Sequence, residues 1–266
     1  MKKIIKLLFL SLNPASITAY LLIFILAIYI IGIPILDVIE LKTFDLRFKW
    51  RGVKTPNPAI VSAVIDEKSL DKEGRWPWPR NKMGDLIKKL SDDGAKVIGF
   101  DIFFTEPDEN SNLKFLSALD EKIKSLNLRD NSLEDFITRS EISADNDLAL
   151  ANAIKDSKAK VILSYYFYRS KGALGYEISP EEIDSRTARI MSSVYPMLKY
   201  EKSNFKYDPF IFVESQYAPE VNLEILSQVI ANSGYINEEP DSDGIVRKSP
   251  MVMKFGEDVY TPFAVQ

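Results

Sequence analysis

The longest apolar run in the chain, Ile17 to Ile35 (ITAYLLIFILAIYIIGIPI), lies within 30 uncharged residues that separate Lys6 from Asp37. At ~1.5 Å of rise per residue, about 20 such residues cross the ~30 Å hydrocarbon core of a bilayer. The pattern predicts one transmembrane helix over residues 17–36, preceded by a short segment, residues 1–16. Lys2, Lys3 and Lys6 stand before it, and basic residues stay on the cytoplasmic side, so residues 37–266 are expected outside the cytoplasm. A cleaved signal peptide is the rival reading, disfavoured because the run exceeds the usual h-region and no A-x-A-like site follows it. A buried core helix fits less well, since no polar face interrupts the run.

Beyond Asp37 the pattern breaks into short elements. Glu40–Trp50 mixes charges with Leu41, Phe44, Leu46, Phe48 and Trp50, and predicts a continuation of the membrane helix or a juxtamembrane helix. After Pro56-Asn57-Pro58, the β-branched run Ala59–Asp66 (AIVSAVID) predicts a strand with Asp66 at its carboxyl end. Met83, Leu86, Ile87 and Leu90 recur at i, i+3, i+4 and i+7, which predicts a helix over Asn81–Asp93 stopped by Gly94. Lys96–Phe104 (KVIGFDIFF) is a nearly continuous apolar run holding one acid, Asp101, and predicts a buried strand parallel to the first. The unit repeats with a helix over Asp147–Ser157 and a strand over Lys160–Tyr168.

Between the repeats, Glu106–Asp147 carries 11 acids and 5 bases, which predicts an acidic surface insert with one or two solvated helices. Further on, Leu223, Leu226, Val229 and Ile230 predict a helix over Asn222–Asn232. Tyr235-Ile236 and Ile245–Phe255 predict two strands around the Asp243-Gly244 turn. Thr261-Pro262 reads as a helix start, four residues from the end, and so predicts a truncated C-terminus. Together these elements predict an α/β fold: a three-layer domain with a mainly parallel sheet built on βαβ units and a C-terminal antiparallel hairpin.

Composition narrows the chemistry. The 266 residues include no histidine and no cysteine, which excludes imidazole and thiol catalysis, His-ligated metals, a phosphohistidine relay and disulfides. Oxygen-loving cations such as calcium or magnesium stay open. Apart from the three N-terminal lysines, the chain carries 31 basic against 38 acidic residues. An acidic body with no concentrated basic face argues against nucleic acid as a partner.

Several tracts together resemble the second type of CHASE domain, an extracellular sensory module of bacterial cyclases and histidine kinases. They are Leu41-Lys42-Thr43-Phe44-Asp45-Leu46-Arg47-Phe48, Ile65-Asp66-Glu67-Lys68-Ser69-Leu70 and Gly74-Arg75-Trp76-Pro77-Trp78-Pro79-Arg80. Gly94-Ala95-Lys96-Val97-Ile98-Gly99-Phe100-Asp101, Glu106-Pro107-Asp108 and Asp243-Gly244-Ile245-Val246-Arg247 complete the set, in the family's order. The resemblance implies a module lying between an N-terminal membrane helix and later membrane helices, with a cytoplasmic adenylate or guanylate cyclase or a kinase beyond. The acidic insert and the absence of those later helices depart from the pattern, so no nucleotide cyclisation is expected of these residues.

Two groups of residues are candidate sites. Asp66 and Asp101, at the carboxyl edge of adjacent parallel strands, could hold a cation or a cationic ligand, or else accept backbone N–H bonds and pair with arginine. The tract Arg75, Trp76, Trp78 and Arg80 combines rigid prolines, flat rings and guanidinium forks that suit an anionic or aromatic ligand. It suits equally a scaffold in which the tryptophans cap the sheet and an arginine pairs with Asp66 or Asp101. Asp243-Gly244 with Arg247 reads as a turn, Glu40, Asp45 and Arg47 as interfacial residues, and Gly172–Gly175 lacks the spacing of a phosphate loop.

The leading expectation is a sensory, ligand-binding domain anchored in the inner membrane, working as a homodimer whose two packings carry the signal. A metal-dependent extracytoplasmic hydrolase using Asp66 and Asp101, and a ligand-free dimerisation module, are the alternatives.

Overall fold

The computed structural model describes residues 14–31, 34–126, 128, 130–195 and 213–266. Two units divide the chain at Ile65/Asp66. The lysines Lys2, Lys3 and Lys6, on which the orientation rests, lie outside the described residues.

In the first unit, helix α1 spans Pro14–Ile31 and helix α2 spans Pro34–Arg51. The single span expected over residues 17–36 is therefore not found. Proline has no N–H to donate and is tolerated in the first turn of a helix, and Pro34 starts α2 instead of continuing α1. No single helix among the described residues is long and apolar enough to cross a membrane. The bent pair Ser16–Ile30 and Ile35–Arg51, at 79° to each other, has the length and composition to do so. The strand expected over Ala59–Asp66 is absent: Ile60, Val61 and Val64 are exposed and pair with no strand among the described residues, so β-branched composition alone did not make a strand there.

The second unit begins with helices α3 (Glu67–Glu73) and α4 (Arg80–Asp92), strand β1 (Val97–Phe100), and helices α5 (Ser111–Ser125), α6 (Asn131–Ala144) and α7 (Asn146–Asp156). Strand β2 (Lys160–Tyr168), helices α8 (Lys171–Leu174) and α9 (Pro180–Ile190), strand β3 (Ala218–Glu220), the single turn α10 (Glu224–Ser227) and strand β4 (Asn232–Tyr235) follow. Strands β5 (Met253–Phe255) and β6 (Asp258–Tyr260) form a hairpin, and a 3₁₀ turn, Phe263–Val265, comes last. The long strand, the α4 and α7 helices and the two insert helices all fall where periodicity and charge predict them.

The sheet is mainly parallel. β1 and β4 flank β2 in parallel, with Gly99 opposite Ile162 and Gly234 opposite Ser164, while β3 pairs antiparallel with the last residues of β2. β2 is buried on both faces, from Val161 through Tyr165. One cluster, Tyr165, Phe167, Ile190, Val221, Tyr235, Met253 and Tyr260, joins the carboxyl half of β2 to the hairpin. Helices α4 and α7 cross closely, because Gly84 carries no side chain where a Cβ would meet Ala153 Cβ at 3.1 Å.

Three elements differ from expectation. The hairpin turns at Gly256 (φ 59°), a left-handed position that glycine takes without strain, and not at Asp243-Gly244. Asp243-Gly244 instead closes a tight loop in which Arg247, its side chain 4% exposed, binds Asp241 at 2.9 Å and forks onto Asp243 at 2.8 and 2.7 Å. The helix expected over Asn222–Asn232 shrinks to α10. Asn222 is drawn into the core, accepting from Phe104 N and donating to Ser164 O, both at 2.8 Å, and Asn232 is claimed by the sheet. Thr261 is not a helix cap: its hydroxyl is buried and donates to Ser193 O at 3.0 Å.

Candidate functional site

β1 and β4 end on either side of β2, and their next residues, Asp101 and Ile236–Glu238, line an open cleft of about 260 Å³ with Ser249 and Pro262–Ala264. Its floor is built by close approach. A Cβ on Gly99 would meet the Phe263 ring at 2.7 Å, and one on Gly234 would meet the Phe263 backbone at 2.5 Å, so both glycines leave room for the final turn. Asn237 extends the ladder of β2 with its side chain, accepting from Phe167 N at 2.8 Å and donating to Phe167 O at 2.7 Å. This pins the backbone that carries Glu238 at the rim.

The cleft has an apolar floor and an acidic rim. The Tyr235 hydroxyl is taken up in donating to Pro250 O at 2.8 Å, and burial pushes its phenol far above the ordinary range. Asp101 is exposed and makes no hydrogen bond or ion pair among the described residues. With Glu238 it sets two carboxylates beside aromatic surface, an arrangement that attracts cations. No group of three or more acids able to hold a metal ion is present among the described residues.

Asp66 has a local role. It caps α3, its carboxylate accepting from Ser69 N at 2.9 Å and Ser69 Oγ at 2.8 Å, which lowers its pKa. It is not among the residues lining the cleft with Asp101.

The tract from Arg75 to Arg80 divides. Arg75 is exposed and Trp76 is 40% exposed, whereas Trp78 is buried, donating from Nε1 to Gly74 O at 2.8 Å and meeting Trp76 edge-on at 5.9 Å. The peptide between Trp76 and Pro77 is cis. Arg80 points inward: its guanidinium lies 4.6 Å over the Phe104 ring, its Nη2 donates to Glu106 O at 3.3 Å, and its Nε faces Asp147 Oδ1 at 3.6 Å. Its backbone N–H donates to Asp108 Oδ2 at 3.0 Å, and Asn146 Nδ2 donates to the same oxygen at 2.7 Å. Arg80 thus pairs with an acid at the far end of the insert, and neither Asp66 nor Asp101 is its partner.

Burial raises the Asp147 carboxyl above the ordinary range. The Asp108 N–H and the Arg80 charge only partly offset this, and the Asp108 and Asp145 charges add to it. At 3.6 Å the Arg80 pair is too long to outweigh desolvation. An acid whose folded pKa is raised favours the fold when protonated. Stability relative to Asp147→Asn should therefore fall as pH rises from about 4 through the raised value and level off above it. Urea unfolding of both proteins between about pH 4 and 7 measures this, and a flat or rising difference would discard it.

Asn237, Glu238, Phe263 and Asp147 were not singled out by sequence reading. Only Phe263, after a Thr-Pro pair near the chain end, carried a local pattern, and that pattern pointed to a helix.

No curated protein and no solved structure matches the chain significantly. The CHASE2 domain family matches residues 19–266, nearly the whole chain. A match of that extent shows the family: the chain belongs to the CHASE2 domain family, a family of extracellular sensory domains.

Proposed function

We propose that the chain is the extracytoplasmic, ligand-sensing part of a bacterial receptor, anchored in the inner membrane through α1 and α2 and working as a homodimer. Its output is a cytoplasmic cyclase or kinase domain, and the chain itself is not an enzyme. In this reading the sheet is the middle of three layers, and the cleft at its carboxyl edge receives the ligand. One observation supports it above others: Asp101 stands there unpaired among the described residues, in a cleft that Glu238, Tyr235 and Phe263 also line. Open α/β sheets bind ligands at this edge.

The ligand class that fits is a small cation, either an organic amine or calcium or magnesium. A ligand at ~100 times its Kd stabilises the bound state by about 2.7 kcal/mol. Thermal unfolding with 1,4-diaminobutane, calcium or magnesium should show a rise in Tm that Asp101→Asn removes. No shift with any of the three, or the same shift in Asp101→Asn, would overturn this placement.

A further inference from the structure

Helix α9 carries two arginines three residues apart, and their surroundings differ. Arg186 is saturated: its guanidinium donates hydrogen bonds of 2.7–3.1 Å to Glu182, Glu220, Tyr176 and Pro219 O. Arg189 is not. It reaches Ser185 Oγ only at 3.3 Å and Asn222 O at 3.4 Å, both beyond the usual N–H···O range, and stands 3.8 Å from Glu224 Oε2.

Beside Arg189 an open groove of about 310 Å³ runs between α9 and α10. Ser185, Ala188, Arg189 and Ser192 recur at i, i+3, i+4 and i+7, so one wall is a single helical face kept low by small residues. Glu224, Ser227 and Gln228 make the other wall. Gln228 Nε2 donates to Glu224 Oε1 at 3.1 Å, which steadies the carboxylate and leaves Oε2 towards Arg189. None of these residues lines the cleft at Asp101.

The groove sets one cation beside one anion and surrounds both with hydroxyls and an amide. A simple anion entering it meets Glu224, and a simple cation meets Arg189, so each is repelled by one wall. A solute bearing both charges on neighbouring atoms satisfies both heads. The volume is at the small end of the ~300–1,000 Å³ of ligand pockets, and no large apolar side chain lines the walls, so the solute is small and polar. An exposed ion pair as long as Arg189–Glu224 contributes little to the fold, which leaves both heads available to a ligand.

We propose that this groove binds a small polar amino acid in its zwitterionic form. Arg189 forks onto the carboxylate, Glu224 takes the ammonium, and Ser192, Ser227 and Gln228 face the side chain. The site is separate from the sensing cleft proposed above and does not depend on it.

Isothermal titration calorimetry of the full chain in detergent tests this with glycine, L-serine and L-glutamine, and with acetate and ethylamine as single-charge controls. At least one amino acid should bind at ~10 mM or below, and about 10-fold or more tighter than either control. Arg189→Lys should weaken that binding about 10-fold, since lysine has no fork. Glu224→Gln should weaken it as much while acetate gains affinity, because the repelling charge is gone. Ala188→Leu, which fills the groove without touching either charge, should abolish it. No binding by any of the three amino acids, acetate binding as tightly as they do, or undiminished binding in Ala188→Leu would overturn the proposal. Binding kept in Arg189→Lys and Glu224→Gln but lost in Asp101→Asn would belong to the other cleft and overturn it too.

Discussion

Replacing Gly234 with alanine is expected to cost about 3 kcal/mol and to lower the melting temperature by roughly 6–12 °C. The added Cβ would stand 2.5 Å from Phe263 Cα, 2.6 Å from its N and 3.0 Å from Pro262 C. These are backbone atoms of a tied turn: Thr261 N donates to Ser193 O at 2.8 Å, and Val265 N to Pro262 O at 3.0 Å. No rotamer change relieves the clash. Gly99→Ala meets the same residue at its ring, 2.7 Å from Cζ, and a ring can shift. That variant should lose about 1–2 kcal/mol and recover much of it with Phe263→Leu, a rescue Gly234→Ala should not share. Urea and thermal unfolding of the five proteins decide the matter. Equal rescue of both glycine variants would show that the final turn is not seated on the sheet in this way.

Arg80→Ala should lose about 3 kcal/mol, whereas Arg75→Ala should change stability by less than about 0.5 kcal/mol. The asymmetry follows from burial. Arg80 has a side chain only 12% exposed, stacks on Phe104 and holds the start and end of the insert together through Glu106 O and Asp147, so its removal leaves a hole over the ring, an unpartnered carbonyl and a half-buried carboxylate held by the Asp108 N–H alone. Arg75 is exposed. Thermal unfolding measures both. An Arg80→Ala protein as stable as the parent would refute the scaffold role and return the residue to the list of ligand contacts.

Much of the body was legible because its pattern is local. β2 is a run of apolar residues buried on both faces, which composition alone reveals, and α4 and α7 carry their periodicity on one face. The acidic insert folded as two solvated helices for the reason its charge suggests. The candidate site was legible only in part. Asp101 could be placed at a strand end, but its neighbours Glu238, Ser249 and Phe263 stand more than 130 residues away in sequence. Asp66 carried the same signature as Asp101, an acid after a β-branched run, yet it became a helix cap, since Ser69 lies three residues on and offers two donors.

By itself the sequence determined the chemistry and the class: a chain without histidine or cysteine, an apolar N-terminal helix, an α/β body and the tracts that mark the CHASE2 domain. Those properties follow from residue types and short-range periodicity. Tertiary structure alone decided which acid meets which partner. It sent Arg80 to Asp147, Arg247 to Asp241 and Asp243, and Phe263 onto two glycines 135 residues apart. The physical reason is that ion pairs and close backbone approaches form between whatever surfaces the packed sheet and helices bring together, and no local pattern encodes that meeting.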